Sequence, residues 1–487
     1  MNSTAAATPV LTHSEIRSII IGVLVAMFLA ALDQTIVATA MPTIGAQLGD
    51  FEQLPWVVTS YLLAATAVTP LYGKASDILG RRTALLIGIG IFMVGSVFCA
   101  LAPNMLTLII ARAVQGLGGG GLISLAQTVI ADIVAPKERP RYQAYIAGVF
   151  ATSSIAGPVL GGLFAEHLSW TAIFWINLPL GLLAFAMTNS LLKKIPRHER
   201  PHRLDVLGSV LMVIATLCLL LALTWGGLRF PWLSAPIIGL LASSALFWVL
   251  FAIRLKLAAE PLISADLLEN KVVGYGTAAA FFGMGVLIGL TIYIPIFLEG
   301  AYGLTASQSG LALVPVMVGT VTGATLSGRV MTHVRHYKRL PIAGLLIAII
   351  ALAIVAFTVE TLPLAPLLVL LTATSVGLGT ILPVTTVAIQ NSVPPHRMGT
   401  ATGVMNFFRS LGGALMVACF GAIVVSSIPD TKLAGISIEN FASTLTEAGL
   451  SITGVYRWIF AAAGLGLAFS LLGFSMMEER PLRSKIS

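Results

Sequence analysis

Charged residues and cysteines are scarce in this 487-residue sequence, and each scarcity limits the kind of protein that it encodes. Charged residues make up 10% of the chain, whereas soluble proteins carry roughly 25%. With 57% hydrophobic residues and a mean hydropathy of +0.94, the chain has too few polar groups to cover a water-exposed surface. Water is therefore not the solvent for most of its surface.

The cysteine and histidine positions argue against redox, metal and enzyme chemistry. Cys99, Cys218 and Cys419 all lie within apolar runs, where cysteines pack as small hydrophobic side chains. The seven histidines are scattered, without the clustered His, Asp or Glu that a membrane-embedded enzyme needs. We therefore predict no metal site, no cofactor and no enzyme activity. A membrane enzyme or a membrane sensor is the alternative from another class, although no loop is long enough for a signalling domain.

Apolar runs of about 20 residues, the length that crosses a bilayer as a helix, are abundant. Runs such as 85–102 and 342–359 are apolar on every face, which excludes the ~10-residue alternation of a membrane barrel. We predict an all-helical integral membrane protein with fourteen spans, at residues 18–42, 54–72, 83–102, 105–131, 142–165, 171–192, 205–225, 233–254, 272–298, 310–330, 341–359, 364–391, 400–425 and 455–476.

Lysine and arginine are unevenly divided between the two sides that these spans define. Loops on the side of the termini hold 23 of the 28 basic residues, whereas Arg229, Lys432 and Arg457 lie opposite. Because basic loops stay in the cytoplasm, we predict cytoplasmic termini and a multi-pass protein of the cell membrane, in bacteria the inner membrane. The basic residues that produce the net charge of +8 are distributed between the apolar runs rather than concentrated on one domain. Nucleic acid is therefore not an expected partner.

One spacing recurs in the two parts of the chain, where Gly121, Pro136 and Arg139 are repeated as Gly379, Pro394 and Arg397. Repeats of six helices build one large class of secondary transporters. We therefore predict a six-helix bundle over residues 18–192 and a second over residues 272–476. A basic linker and two inserted helices occupy residues 193–271, and residues 1–17 and 477–487 are predicted cytoplasmic tails.

Asp33 is the only acidic residue that we place inside a predicted span, away from its ends. It lies ~14 Å inside the outer end of the first helix, and Arg112 lies ~12 Å inside the outer end of the fourth. A carboxylate in a membrane is costly and usually functional. If the two helices are neighbours, burial and the nearby Arg112 cation act on the Asp33 carboxyl in opposite directions. A conformational change that alters either effect can then load or release a proton. We predict a proton-coupling pair, and the alternative is a static ion pair between two helices.

Two glycine-rich motifs are candidates for moving parts. Residues Gly73, Asp77, Gly80, Arg81 and Arg82 lie in a predicted loop, where glycines permit a tight turn and the charges can bridge helix ends. Residues Gly157, Pro158, Gly161 and Gly162 lie in the fifth predicted helix, where Pro158 removes a backbone hydrogen bond and the glycines form a flat packing surface. We predict a gating helix, with simple helix packing as the alternative.

Together these motifs resemble the major facilitator superfamily, specifically its fourteen-span drug:proton antiporter branch. The signatures that carry the resemblance are Leu32–Val37 with Pro42, Gly73–Arg82, Arg112 with Gln115, and Gly157–Gly162. Thr171 and Ala172 replace an Arg and a Trp of the family pattern, so any role of that Arg is absent. The resemblance implies two six-helix bundles plus two extra central helices, a latch at Gly73–Arg82, proton transfer at Arg112, and proton-driven export by alternating access.

The expected substrates are small hydrophobic molecules, and their charge stays open. Candidate cavity residues are Gln34, Gln115, Phe281, Phe282, Tyr293, Asn406 and Arg409, although aromatic side chains in apolar helices also serve simply for packing. The expected partners are these molecules, protons and the lipid bilayer, and we predict a monomer. An exporter of the same fold that moves a lipid, a siderophore or another metabolite is the nearest alternative.

Overall fold

The computed structural model describes residues 12–50, 53–194, 204–227, 229–334, 336–427 and 451–484. In these ranges the chain is helical, without a β-strand. Fourteen long segments follow one another: α1 His13–Leu48, α2 Trp56–Leu79, α3 Arg81–Ala100, α4 Met105–Ile133, α5 Arg139–His167, α6 Ala172–Leu191, α7 Val206–Trp225, α8 Ala235–Leu257, α9 Lys271–Tyr302, α10 Gln308–His333, α11 Arg339–Thr358, α12 Leu364–Ser392, α13 Met398–Ser426 and α14 Ile452–Met476.

Within the described residues, 13 helices are long and apolar enough to cross a membrane. The remaining long segment is α2, whose 24 residues would span about 36 Å but include several hydroxyl side chains, Lys74 and Asp77. The fourteen predicted spans each correspond to one of these segments. The chain is therefore an all-helical, multi-pass membrane protein.

Helix boundaries follow local capping chemistry rather than the ends of the apolar runs. The Thr12 side chain accepts from the Glu15 backbone N–H and begins α1 at His13, ahead of the predicted residue 18. The Asn104 side chain caps α4 in the same way. Between α2 and α3 a single residue, Gly80, has a φ of +87°, a backbone conformation that glycine adopts without a steric penalty.

Residues 73–82, predicted as a loop, are almost entirely helical. Helix α2 continues to Leu79, α3 begins at Arg81, and only Gly80 separates them. The loop prediction was wrong because polar residues at a membrane surface weaken the apolar signal without ending the helix. Asp77 consequently lies within α2. Because Asp132, Glu166 and Glu299 also lie within α4, α5 and α9, Asp33 is not the only acid inside a helix.

The first six and last six helices pack in the same order. Helix α1 contacts α4, α5 and α6, and α4 packs between α2 and α3; correspondingly, α9 contacts α12, α13 and α14, and α12 packs between α10 and α11. Small residues allow this close approach. A Cβ added to Gly118 would lie 2.3 Å from the Phe92 nitrogen, and one added to Gly377 would lie 2.2 Å from the Gly344 oxygen.

Helices α7 and α8 pack mainly against each other, joined by an ion pair of 3.0 Å between Arg254 Nε and Asp205 Oδ1. They touch the remaining helices through aromatic side chains. The rings of Trp225 and Trp56 are 5.7 Å apart, and those of Trp248 and Phe407 are 6.3 Å apart. The basic linker predicted before α7 falls mostly on residues 195–203, which lie outside the described residues.

The two sets of six helices meet on the side of the membrane where α1 begins. There a Cβ on Gly328 of α10 would lie 2.4 Å from the Pro140 oxygen of α5. The segment after α14 crosses the same face. The Arg483 carbonyl accepts a hydrogen bond of 3.1 Å from the Lys137 backbone, and the Asn391 amide donates to the Pro481 carbonyl at 3.0 Å. The molecule is thus closed on the terminus side.

Candidate functional site

Asp33 lies in α1 with none of its surface exposed, and three side chains donate hydrogen bonds to its carboxylate. Arg112 Nη1 is 2.7 Å from Oδ2, while Gln115 Nε2 and Asn177 Nδ2 are 2.8 and 2.9 Å from Oδ1. The pairing that matching depth suggested is therefore present in the structure. A proton that binds Asp33 shares the carboxylate with these donors, which together occupy three of its roughly four lone-pair sites.

Arg112 is fixed from several directions in the same cluster. Its Nε donates to the Val57 carbonyl of α2 at 3.0 Å, and its guanidinium carbon lies 4.4 Å from the centre of the Tyr61 ring. The side chain is only 1% exposed. A buried guanidinium needs such donor and ring contacts to replace lost hydration. Arg112 therefore fills the corner between α1, α2 and α4.

Two members of this cluster were not predicted as site residues. Ser96 of α3 accepts hydrogen bonds from Gln115 Nε2 at 2.6 Å and from Asn177 Nδ2 at 3.0 Å. Asn177 of α6 is fully buried. Ser96 is an isolated polar residue in an apolar stretch, and Asn177 belongs to the segment after α5 that resembles a family pattern, but neither feature indicates a shared partner.

The two glycines Gly157 and Gly161 bring α5 directly onto α1, beginning about half a turn beyond Asp33. A Cβ on Gly157 would lie 2.0 Å from Thr35 Oγ1, and one on Gly161 would lie 2.4 Å from the Ile36 oxygen. Thr35 Oγ1 also donates to the Ser153 carbonyl at 2.9 Å. Larger residues at these glycines would push the helices apart. Helix α5 therefore packs directly against α1 at the level of the Asp33 cluster.

Pro158 and Gly162, predicted with these glycines, are not part of that contact. Pro158 is exposed, and a Cβ on Gly162 would meet no atom within 4 Å. Pro158 lies within α5 and has no backbone N–H to donate along the helix.

Asp77 connects the first six helices to α13. Its Oδ1 accepts from the Gly399 N–H at 3.0 Å, and its Oδ2 accepts from the N–H and the hydroxyl of Thr400, both at 2.7 Å. These N–H groups belong to the first turn of α13, where a helix has unpaired donors and a partial positive charge. Asp77 thus caps α13 across the boundary between the two halves.

Arg81 orders Asp77 from the other side. It forms ion pairs with Asp77 and, at 2.7 Å, with Asp132 of α4, and it donates to the Pro395 carbonyl at 3.3 Å. Gly73 makes room for the contact, because a Cβ there would lie 2.5 Å from the Gly399 oxygen. The residues Gly73, Asp77, Gly80 and Arg81, together with their partners on α13, are called the latch below.

Arg82, the remaining residue predicted in the latch, points within the first half. Its Nε donates to the Asn189 carbonyl of α6 at 3.1 Å, and its Nη2 donates to the Asn189 side chain. This contact joins α3 to α6 rather than to the second half.

The predicted substrate residues are not gathered in one place. Gln34 is exposed on α1, whereas Gln115 is fully buried in the Asp33 cluster. Asn406 is 3% exposed and donates to Gln127 Oε1 of α4 at 2.8 Å, on the closed side. Arg409, one turn further along α13, is half-buried, and no hydrogen bond or ion pair joins it to another described residue.

The predicted aromatic residues of α9 also have packing partners. Phe281 and Phe282 contact each other at 5.0 Å, and Phe282 stacks on Phe469 of α14 at 5.1 Å. Tyr293 is buried and donates to the Val417 carbonyl at 3.3 Å. In this conformation these side chains serve the packing of the second half.

Comparison with known proteins gives close relatives in sequence. Multidrug resistance protein 3 of Bacillus subtilis is 34% identical over 411 residues, covering 84% of this chain and 80% of that protein. The efflux pump dotC of Dothistroma septosporum is 34% identical over 441 residues, covering 90% and 74% of the two chains.

Solved structures share the fold at low sequence identity. The proton:xylose symporter XylE bound to a bromo-deoxyglucose aligns with a TM-score of 0.65 at 16% identity, covering 97% of this chain and 98% of that one. A bacterial homologue of the iron transporter ferroportin in an outward-facing state aligns with a TM-score of 0.64 at 11% identity, covering 96% and 100%. Residues 23–417 match the family described as the Major Facilitator Superfamily. The chain therefore belongs to the major facilitator superfamily.

Proposed function

We propose that this chain is a proton-coupled multidrug exporter, a drug:proton antiporter of the fourteen-span type that works by alternating access. The names of the relatives support drug export. The observation that carries the proton coupling is the sealed cluster in which Asp33 meets Arg112, Gln115 and Asn177. A buried carboxylate beside a cation in a membrane protein is the arrangement expected of a proton relay.

Proton binding at Asp33 removes one charge of the ion pair and weakens its hold on Arg112. The donors to the carboxylate are then free to rearrange, and α1 shifts relative to α4. Because α5 packs on α1 through Gly157 and Gly161, it shifts as well. Helix α5 in turn contacts α10 of the second half, which connects the proton site to the contact between the halves.

In the proposed cycle, the described conformation is the outward-facing one. We place the termini and the latch in the cytoplasm of a bacterial cell, consistent with the basic loops on that side. Release of Asp77 from α13 then opens the cytoplasmic side. Residues 18–192 and 272–476 act as the two moving bundles, and one chain suffices for transport.

The test uses purified protein in liposomes loaded with radiolabelled chloramphenicol or tetraphenylphosphonium. A bath more acidic than the lumen should accelerate efflux by the wild type, and Asp33→Asn should lower that acceleration by about tenfold or more, because the proton acceptor is gone. Glu360→Gln, which neutralises an exposed acid after α11, is the control and should behave as wild type. Efflux that ignores the gradient and is equal in wild type and Asp33→Asn would contradict the proposal.

A further inference from the structure

Arg409 is a basic residue that lies deep within a spanning helix. It is about 17 Å from the start of α13 at Met398 and about 26 Å from the end of α13 at Ser426. Basic side chains in a membrane reach the interface only when they lie near a helix end. The Arg409 charge must therefore be stabilised from within the protein or by a ligand.

The Arg409 guanidinium has no partner among the described residues. Arg81, Arg112 and Arg139, the arginines of described helices that are more than nine-tenths buried, each bond to an acid or to backbone carbonyls. Arg409 is half-buried, and no hydrogen bond, ion pair or aromatic contact joins it to another described residue. A guanidinium that loses hydration without gaining a partner is unfavourable, and an anionic ligand relieves that cost.

The position of Arg409 on α13 directs it to the space between the two halves. With 3.6 residues per turn, it lies within about 20° of Thr402 and about 60° of Asn406 around the helix. The Thr402 hydroxyl accepts from Gln390 Nε2 of α12 at 3.3 Å, and Asn406 donates to Gln127 Oε1 of α4 at 2.8 Å. Arg409 therefore follows, one turn outward, the contact that closes the terminus side.

The junction of α4 and α13 changes from sealed to accessible at the level of Arg409. Gln127 and Asn406 are 1% and 3% exposed, whereas Ile123, one turn outward from Gln127 on α4, and Arg409 are both partly exposed. Asp33 is already bonded to three donors of its own cluster. A molecule that enters from the open side thus reaches a cation that no described acid neutralises.

We propose that Arg409 binds an acidic group of the exported molecule, such as a carboxylate, just outside the Asn406–Gln127 contact. The planar guanidinium can offer a carboxylate two parallel hydrogen bonds. The inference rests on the proposed export function and narrows its substrates to amphipathic anions. A lipophilic cation gains nothing at this point, because the nearest unpaired charge has the same sign.

The test measures equilibrium binding to the purified protein in detergent, without a proton gradient, so it can fail while proton-driven export stands. The probes are 7-diethylaminocoumarin-3-carboxylate and its uncharged ethyl ester, two fluorescent molecules that differ by one charge. Arg409→Gln should weaken binding of the carboxylate by about tenfold or more and leave binding of the ester unchanged. Arg409→Lys keeps the charge without the planar fork, and its loss should be about threefold.

Arg457→Gln is the matched control, because it removes the same charge from an exposed position on α14. It should bind both probes as the wild type does. The unfolding temperature of Arg409→Gln should match that of the wild type, since no structural bond is lost, and tetraphenylphosphonium should bind no more weakly.

Four results would overturn the inference: equal weakening of acid and ester, an equal loss in Arg457→Gln, no binding of the carboxylate by the wild type, or a large fall in the unfolding temperature of Arg409→Gln. The last result would show that Arg409 has a structural partner instead of a ligand.

Discussion

In the first half of the molecule, the corner between α1, α2 and α4 holds Arg112, bonded to Asp33 and to the Val57 carbonyl. In the second half, the corresponding corner between α9, α10 and α12 is lined by uncharged side chains, among them Leu290, Leu371 and Ser375. The helices around both corners pack in the same order. Small residues thus set the packing of each half, whereas a few large or polar side chains make the two corners different.

Replacing Arg112 should have the largest effect on stability and transport, because Arg112 is the side chain that distinguishes the first-half corner from the second. Arg112→Leu leaves the Asp33 carboxylate buried without its cation, and removing one partner of a buried ion pair costs about 3 to 5 kcal/mol. We expect a large fall in thermal stability in detergent and loss of proton-driven transport. Arg112→Lys keeps the charge but cannot reach Asp33 and the Val57 carbonyl together, so its loss should be intermediate. A stable, active Arg112→Leu protein would show that the corner needs no charge.

The glycine contacts should show that the two halves are alike in packing. Gly118→Ala and Gly377→Ala each force a Cβ to within 2.3 Å of neighbouring backbone. Overpacking of this kind costs about 1 to 3 kcal/mol. We expect similar decreases in unfolding temperature for the two variants, measured in the same detergent.

Gly90→Ala is the control for this pair, because a Cβ there meets no atom within 4 Å. It should leave the unfolding temperature nearly unchanged. If Gly118→Ala were tolerated as well as Gly90→Ala while Gly377→Ala was not, the similarity of the two halves in packing would be disproved.

Two buried serines should give the smallest effect and separate structure from proton chemistry. Ser96→Ala removes an acceptor in the Asp33 cluster, and Ser470→Ala removes a donor to the Ala279 carbonyl in the second half. Each should cost about 1 kcal/mol of stability. Only Ser96→Ala should also change the pH dependence of transport, because Ser96 orients Gln115 and Asn177. An identical pH profile in both variants would argue against that role.

Part of this site followed from the sequence because helix geometry converts residue number into depth. Asp33 and Arg112 have matching depths, and the structure pairs them. Ser96 and Asn177 escaped prediction because one isolated polar residue in a helix gives no spacing to interpret. Asn406 was predicted to meet substrate, yet its partner is Gln127. Contacts between residues so distant in the chain depend on how the two halves dock.

The single-residue connection between α2 and α3 has a mechanical consequence. With only Gly80 between them, neither helix can slide or tilt at this end without displacing the other. Arg81 at the start of α3 is also tied to Asp132 of α4. Any force that pulls Asp77 away from α13 is therefore spread at once over three helices. In the proposed cycle, we therefore expect release of Asp77 from α13 to be a rocking motion of a rigid block, rather than the bending of one helix end.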